Sequence, residues 1–192
     1  MRLIAVLALP LALSACLGGG RDLPDTLATL TSTAPEIEPG ARSAAREDAV
    51  TVLLPLIPQA LDTDRVPVKV GDTAIAYVTD LVWVDTPDVL FQQMLSESLS
   101  RLTGRVVLDP GQAMLNPGLR VTGSLSRFDY DSRSGEVVVR YDAAIARSDG
   151  TAVETRRFEA RRPADGMASG TAAALNEAAN QVAVDVATWI GG

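Results

Sequence analysis

The sequence contains no histidine, one lysine (Lys69) and one cysteine (Cys16) among its 192 residues. Without histidine it lacks the commonest general acid–base group and the commonest metal ligand. One lysine offers almost no amine chemistry, and one cysteine cannot form an internal disulfide. Aromatic residues are also few, at 4%. These absences argue against a catalytic or metal-binding protein.

The nucleophiles and carboxylates that are present do not form a known catalytic or calcium motif. The serines of residues 96–100 lack a Gly-x-Ser-x-Gly elbow, and there is no histidine to activate them. A Ser–Lys dyad would need Lys69, which has no Ser-x-x-Lys spacing. The segment Asp129–Arg133 breaks the pattern of a calcium loop with an arginine. We therefore predict no enzymatic activity, no cofactor and no metal.

Acidic residues outnumber basic ones, and the formal net charge is −7. A phosphate-binding face needs clustered positive charge, so this balance argues against nucleic acid as a partner. The composition, 47% hydrophobic and 21% charged, is typical of a globular domain. A chain of this length buries enough apolar surface to fold without disulfides or metals.

The first sixteen residues have the organisation of an export signal. Arg2 supplies a short positive region, and Leu3–Leu13 is an apolar run interrupted only by a proline. A helix of about 11 residues spans roughly 16 Å, about half of a ~30 Å hydrocarbon core, which is typical of a signal peptide. The closing Leu13-Ser14-Ala15-Cys16 resembles the lipobox of bacterial lipoproteins, which implies that Cys16 is lipidated. The alternative is an ordinary secretory leader with a chance cysteine.

The residues after Cys16 bear on location and on domain organisation. Leu17 stands where enteric lipoproteins retained in the inner membrane carry aspartate, so the resemblance implies the outer membrane, on its periplasmic side. We assign residues 1–15 to the signal peptide and 16–47 to the lipidated N-terminus and a flexible tether rich in Gly, Pro, Ser and Thr. Within this tether, Thr26–Leu30 could add a short strand.

Residues 48–192 are assigned to the folded domain, which opens with strand patterns. Val50–Ile57 is a dense apolar run typical of a buried strand. Val66–Val84 reads as extended structure divided by a Gly-Asp turn. Thr86-Pro87-Asp88 has the pattern of a helix start, and Gly104 that of a helix C-cap.

The second half of this domain predicts three strands and a long helix. Alternation marks Leu119–Leu125 and Val137–Ile145, and Val153–Arg161 follows a Ser148-Asp149-Gly150 hairpin turn. Thr171–Ile190 carries a single apolar stripe at helical spacing. These elements predict a single α+β domain, with a mostly antiparallel or mixed sheet and two helices packed on one of its faces.

The order of these segments resembles a known family. Val52–Pro58 precedes Leu81–Pro87, which carries a tryptophan, an acid and a proline just ahead of the helical stretch Leu90–Leu99. Over the range Val50–Ile190 the chain resembles the PqiC-like auxiliary lipoproteins of ABC-type transporters. The resemblance implies a non-catalytic accessory that works with an MCE-type periplasmic protein, an ABC permease and an ATPase in moving lipids between the two membranes.

The alternative function is a self-sufficient lipid carrier or an outer-membrane assembly lipoprotein. The two hypotheses differ in the interior between helices and sheet, because an interior filled by side chains leaves no room for a lipid. The side chains expected to fill it are Phe91, Leu95, Leu99, Val182, Val186 and Trp189. They are large enough to do so, which favours the accessory role. A homo-oligomer is left open.

Because the sequence shows no catalytic motif, function is expected to reside in a surface. The candidates are the loops from Asp62–Lys69, the turn Arg127–Arg133 and an outer edge carrying arginines. Interfaces favour arginine and aromatic residues, so we predict that the MCE-type partner is bound by Arg127, Phe128, Tyr130 and Arg133.

Two other features have structural interpretations that we favour. Trp83, on a strand, is expected in the core rather than in a lipid or partner groove. The pairs Arg156-Arg157 and Arg161-Arg162 are expected to protect a solvated edge strand. Their alternative role is contact with anionic headgroups or an acidic partner.

Overall fold

The computed structural model describes residues 24–38, 40–45, 48–112, 118–146 and 152–191. Within these ranges the chain forms seven strands and two helices. In chain order they are β1 (Val50–Val52), β2 (Arg65–Lys69), β3 (Ile75–Val82), α1 (Pro87–Thr103), β4 (Val107–Leu108), β5 (Leu119–Asp131), β6 (Glu136–Ala146), β7 (Val153–Pro163) and α2 (Ala168–Gly191).

Strand β5 is the centre of a single mixed sheet. Along one edge it pairs antiparallel with β6, which pairs antiparallel with β7. Along its other edge it pairs in parallel with β1 near its start and with β2 near its end. Beyond these, β4 extends the sheet from β1, and β3 extends it from β2. The predicted α+β class and mixed sheet are confirmed.

Both helices pack on the same face of this sheet, as predicted. They contact each other, and α2 lies against β6 and β7 while α1 contacts β1 and β4. Helix α1 begins at the predicted Pro87 and ends before Gly104, whose φ of 68° gives the left-handed C-cap. The predicted capping bond is absent, because the Thr86 side chain makes no hydrogen bond to the first turn.

The predicted core residues fill the space between helices and sheet. Phe91, Leu95, Leu99, Val182 and Val186 are fully buried, and Trp83 is buried as expected. The Phe91 ring lies 5.1 Å from that of Tyr141 on β6. Trp189 differs from the prediction, because it is only partly buried, at the margin of this core. Its ring lies 5.5 Å from that of Phe158 on β7.

A glycine on β5 allows Tyr141 to pack closely. A Cβ atom at Gly123 would lie 2.7 Å from Tyr141 Cε2 and 2.3 Å from the main-chain oxygen of Asp142. Both distances are too short for a real side chain, so β5 needs glycine at this position. The ring that covers Gly123 is itself buried, and burial raises the pKa of Tyr141.

Part of the predicted tether is held by the folded domain. The Ala28 N–H donates to the Val82 carbonyl at 2.8 Å, and the Val84 N–H donates to the Ala28 carbonyl at 2.9 Å. Ala28 thus forms a single parallel bridge with Trp83, within the segment where a short strand was predicted. We call Ala28–Ala34 the N-terminal strap.

The strap continues across both helices. Thr33 N–H donates to Asn180 Oδ1 on α2 at 2.8 Å, and Arg101 on α1 donates to the Ala34 carbonyl at 2.9 Å. Between them, the hydroxyls of Ser32 and Ser98 lie 2.8 Å apart. The chain is therefore fixed to the domain well before residue 48.

Some sequence predictions lie outside the described residues. These are the signal peptide, Cys16, Leu17, the first part of the tether and the turn at residues 148–150. In the part of the chain that the structure does describe, neither helix is long and apolar enough to cross a membrane.

Candidate partner-binding surface

Two turns of the sheet meet at one end of the molecule. Strand β2 pairs in parallel with the last residues of β5, with Val68 opposite Tyr130. Both strands therefore finish at the same end of the sheet. The Arg133 guanidinium lies 2.7 Å from Asp72 Oδ1, and the Ser132 hydroxyl donates to the Lys69 carbonyl at 3.1 Å. We call residues 69–75 and 131–135 together the turn-end surface.

A cleft of about 310 Å³ opens beside these turns. Its apolar wall comes from Leu61, Pro67 and Ile75, and its polar side from Lys69 and Asp129. The Ile75 side chain is 56% exposed, a large value for an isoleucine, and Val70 on the same turn is also exposed. The cleft therefore combines exposed apolar area with charges of both signs, as protein interfaces do.

A compact ion-pair cluster lies next to the cleft on β5. Arg127 binds Asp129 through two nitrogens, at 2.9 and 2.5 Å, and reaches Asp131 at 3.5 Å. The hydrogen bond that Arg127 donates to Asp129 contributes most to raising the pKa of Arg127. Burial acts to raise the pKa of Asp131, but hydrogen bonds from the Arg133 main chain and from Arg127 outweigh it and lower that pKa. Arg127 thus links two carboxylates along the end of β5.

The same ionic character extends over the sheet face opposite the helices. Arg157 on β7 lies 2.5 Å from Asp142 on β6, and Arg140 on β6 lies 2.5 Å from Glu159 on β7. The hydrogen bond from Arg157 is the largest influence that lowers the pKa of Asp142. Such pairs are individually weak at a surface, but they fix the charge pattern of this face.

The four residues predicted to bind a partner do not form one surface. Arg133 is 57% exposed and belongs to the turn-end surface. Arg127 is only 15% exposed, because its carboxylate partners cover it. Tyr130 is half-buried.

Phe128 requires a correction, because it is fully buried on the helix side of β5. Its ring lies 5.7 Å from that of Trp83, deep in the core. Strand alternation sends Phe128 and Arg127 to opposite faces of the sheet. Phe128 therefore supports the surface from inside and does not contact a partner.

Sequence reasoning missed Val70 and Ile75 as surface residues. The sequence pattern predicts both as ordinary members of the extended segments on either side of a turn. The signal that could have identified them is their position immediately around a tight Gly-Asp turn, where large apolar side chains find little cover.

Among the described residues, no group of three His, Cys, Asp or Glu side chains is arranged to hold a metal ion. Two arginines near the cleft pair with carboxylates, Arg127 with Asp129 and Arg133 with Asp72.

Comparison with known proteins identifies the class of protein that has this fold. Residues 29–187 match the model of the family described as the ABC-type transport auxiliary lipoprotein component. The chain belongs to this family, as its sequence pattern indicated. The match begins within the N-terminal strap, so the strap is part of the family's domain. A search of curated protein sequences gives no match.

Solved structures share the fold at low sequence identity. A crystal structure of an uncharacterized protein is 14% identical, with a TM-score of 0.66 over 75% of this chain and 92% of its own. A Xanthomonas campestris protein is 15% identical, with a TM-score of 0.63 over 88% of this chain and 92% of its own. A looser likeness is to the PelC dodecamer from Paraburkholderia phytofirmans, at 16% identity and a TM-score of 0.44, over 73% and 88% of the two chains.

Proposed function

We propose that this protein is a non-catalytic accessory of an ABC-type system that moves lipids between the inner and outer membranes. In this proposal Cys16 anchors it on the periplasmic side of the outer membrane, and an MCE-type protein is its direct partner. The observation that carries the proposal is family membership over residues 29–187. In this proposal the auxiliary component acts by binding other parts of the transport system, and the arginine–carboxylate pairs near the cleft suit such a role.

The packed interior supports an accessory over a lipid carrier. Phe91, Leu95 and Leu99 of α1 and Val182 and Val186 of α2 have no accessible surface. Opening this interior for an acyl chain would remove packing contacts from several large side chains at once, each worth a few kcal/mol. A lipid carrier would need a preformed apolar pocket.

The turn-end surface is the partner site that we favour. It carries exposed Ile75 and Val70, and Arg133 and Lys69 supply positive groups beside them. Arginine is enriched among the energetically important residues of interfaces, and the buried centre of an interface is more apolar than its rim. The charged rim would fix the orientation of the partner and speed association.

Chain length limits how far the domain stands from its proposed anchor. Eleven residues lie between Cys16 and Ala28, the first residue of the strap. Fully extended, they reach at most about 40 Å. An anchored domain would therefore stay close to the membrane surface, where confinement raises its effective concentration towards membrane-bound partners.

The proposal is tested by isolating the full chain from membranes of its own organism in mild detergent. We expect an MCE-type protein, an ABC permease and an ATPase to be recovered with it. Recovery of outer-membrane assembly proteins instead would support the assembly alternative. Stoichiometric lipid bound to the purified chain after delipidating washes, with no transport protein present, would support the carrier.

A further inference from the structure

Strand β7 forms a long and regular outer edge of the sheet. It pairs with β6 from Val153 to Pro163 without a register shift. Every residue before Pro163 in this strand carries a main-chain N–H, since the one proline is the last residue. No strand in the described parts of the chain pairs with its other edge. Its charged side chains disfavour pairing with a strand of unmatched charge, but a straight edge of this kind remains a template for a strand whose charges are complementary.

On the opposite side the sheet ends on β4, which has only two residues, and on β3, which is much less suited to pairing than β7. In β3, Asp80 has a positive φ of 56°, which breaks the regular pleat. The pairing of β3 with β2 also shifts register between Arg65 and Pro67. Just beyond its end, Ala28 of the strap already occupies a position beside Trp83. The β7 edge is therefore the one that can accept a full-length strand.

We propose that β7 pairs antiparallel with β7 of a second copy, about a two-fold axis at Phe158, so that two sheets join into one. A two-fold axis perpendicular to a sheet places residues of the same face opposite each other. Arg157 then lies opposite Glu159 of the second copy, and Glu154 lies opposite Arg162 of the second copy. Each of these contacts occurs twice, and each joins opposite charges.

The charge pattern on the outer face continues through this junction. Asp142 on β6 already pairs with Arg157 on β7, and Arg140 on β6 with Glu159 on β7. In the joined sheet, Asp142, Arg157, then Glu159 and Arg140 of the second copy lie in one row across four strands. Charges in that row alternate in sign without interruption. In a single copy each of these rows ends at β7, one on Arg157 and the other on Glu159.

Neighbouring registers lose this complementarity. Moving the axis by one residue places Arg157 opposite Arg157 of the second copy, or Glu159 opposite Glu159 of the second copy. Either shift brings like charges together. With the axis at Glu159, Arg157 also faces Arg161, and Arg156 faces Arg162. The axis at Phe158 avoids these contacts while pairing the whole strand.

The first test measures self-association of the full chain in detergent by sedimentation velocity. We expect a dimer that Glu154→Arg and Arg162→Glu each weaken by roughly tenfold or more, because two attractive contacts per dimer become repulsive. The double variant, which restores opposite charges, should recover the wild-type affinity. Asp62→Arg, an equivalent charge reversal on an exposed loop, should leave it unchanged. Thermal unfolding of each variant confirms that it is folded.

A wild-type chain that sediments as a monomer at all accessible concentrations would overturn the proposal. So would an oligomer that responds to Glu154→Arg no more than to Asp62→Arg.

The second test reads the register directly. Cells co-express chains carrying Thr155→Cys with chains carrying Arg161→Cys, two positions that face each other across the proposed axis and are near enough for a disulfide. We expect a disulfide-linked dimer from this pair. Thr155→Cys with Arg157→Cys, on the same face but four residues out of register, should give little. The unsubstituted chain reports any linkage through Cys16. Equal yields from both pairs, or linkage only to another protein, would contradict the proposal.

Discussion

Asn180 Nδ2 donates to the Thr31 carbonyl at 2.8 Å, while its Oδ1 accepts from the Thr33 N–H at 2.8 Å. A single side-chain amide of α2 thus replaces a neighbouring strand for the main chain of the N-terminal strap. The side chain is buried, so these bonds are shielded from water. Through them, the segment that leads towards Cys16 is fastened to the helix that closes the fold.

We predict that Asn180→Ala destabilises the domain by about 2 kcal/mol, because its bonds to the strap are lost and main-chain groups are left without partners. Urea unfolding measures this change, and hydrogen exchange should rise at residues 31–34. Asn176→Ala is the matched control. This variant loses a single hydrogen bond, which Asn176 accepts from the Thr31 N–H. That bond is more exposed to water, so its loss should reduce stability less. Equal effects of the two variants would show that Asn180 does not hold the strap.

Gly123→Ala should destabilise the sheet by about 2 kcal/mol or more, since the added methyl overlaps the Asp142 carbonyl and the Tyr141 ring. Thermal or denaturant unfolding provides the measurement. Gly71→Ala serves as the control, because a Cβ there meets no heavy atom within 4 Å. If both alanine variants were equally stable, the close approach of β5 and Tyr141 would be wrong.

Stability should fall as the pH drops below about 4. The hydrogen bond from Arg157, followed by one from Ser126, lowers the pKa of Asp142 below its ordinary value of 3.8. A carboxylate with a lowered folded-state pKa stabilises the fold above the unfolded-state pKa, and that stability is lost as pH falls through the folded-state pKa. Asp142→Asn should therefore flatten the acid limb of the stability curve. Asp62→Asn, on an exposed loop, is the control, and an acid limb unchanged in Asp142→Asn would refute this assignment.

Cys16→Ser should release the folded domain into the aqueous periplasmic fraction, because the proposed acyl chains are then absent. Cell fractionation followed by a high-salt wash measures this, and Ser14→Ala is a control that keeps the thiol and a small residue ahead of it. Retention of Cys16→Ser on membranes through the wash would exclude a lipid anchor as the main attachment.

The overall fold could be predicted because its determinants are local. The proline and glycine that bound α1, and the alternating runs of β5 and β6, carry their structural preference in short stretches of sequence. Core residues such as Phe91 and Val186 followed from helical spacing alone. The partial burial of Trp189 did not follow from helical spacing, since the burial of a residue near the end of α2 depends on where the sheet ends.

The candidate surface was harder to predict because it depends on long-range packing. The side of the sheet that Phe128 faces is set by a bulge between Leu125 and Arg127, which the alternation pattern does not reveal. The sequence predicts a flexible tether where the strap lies, because the partners of the strap, among them Asn180, are about 150 residues away along the chain. The contact of Arg133 with Asp72 likewise joins turns that are distant in sequence.

Photo-crosslinking in cells tests the proposed function most directly. A crosslinker replaces Ile75 or Arg133 on the turn-end surface, or Gln93 on the exposed side of α1 as a control, and captured proteins are identified by mass spectrometry. The account predicts an MCE-type or ABC-transport protein captured from Ile75 and Arg133 but not from Gln93. Capture of such proteins from no position, or equally from all three, would contradict a transport partner bound at the turn-end surface.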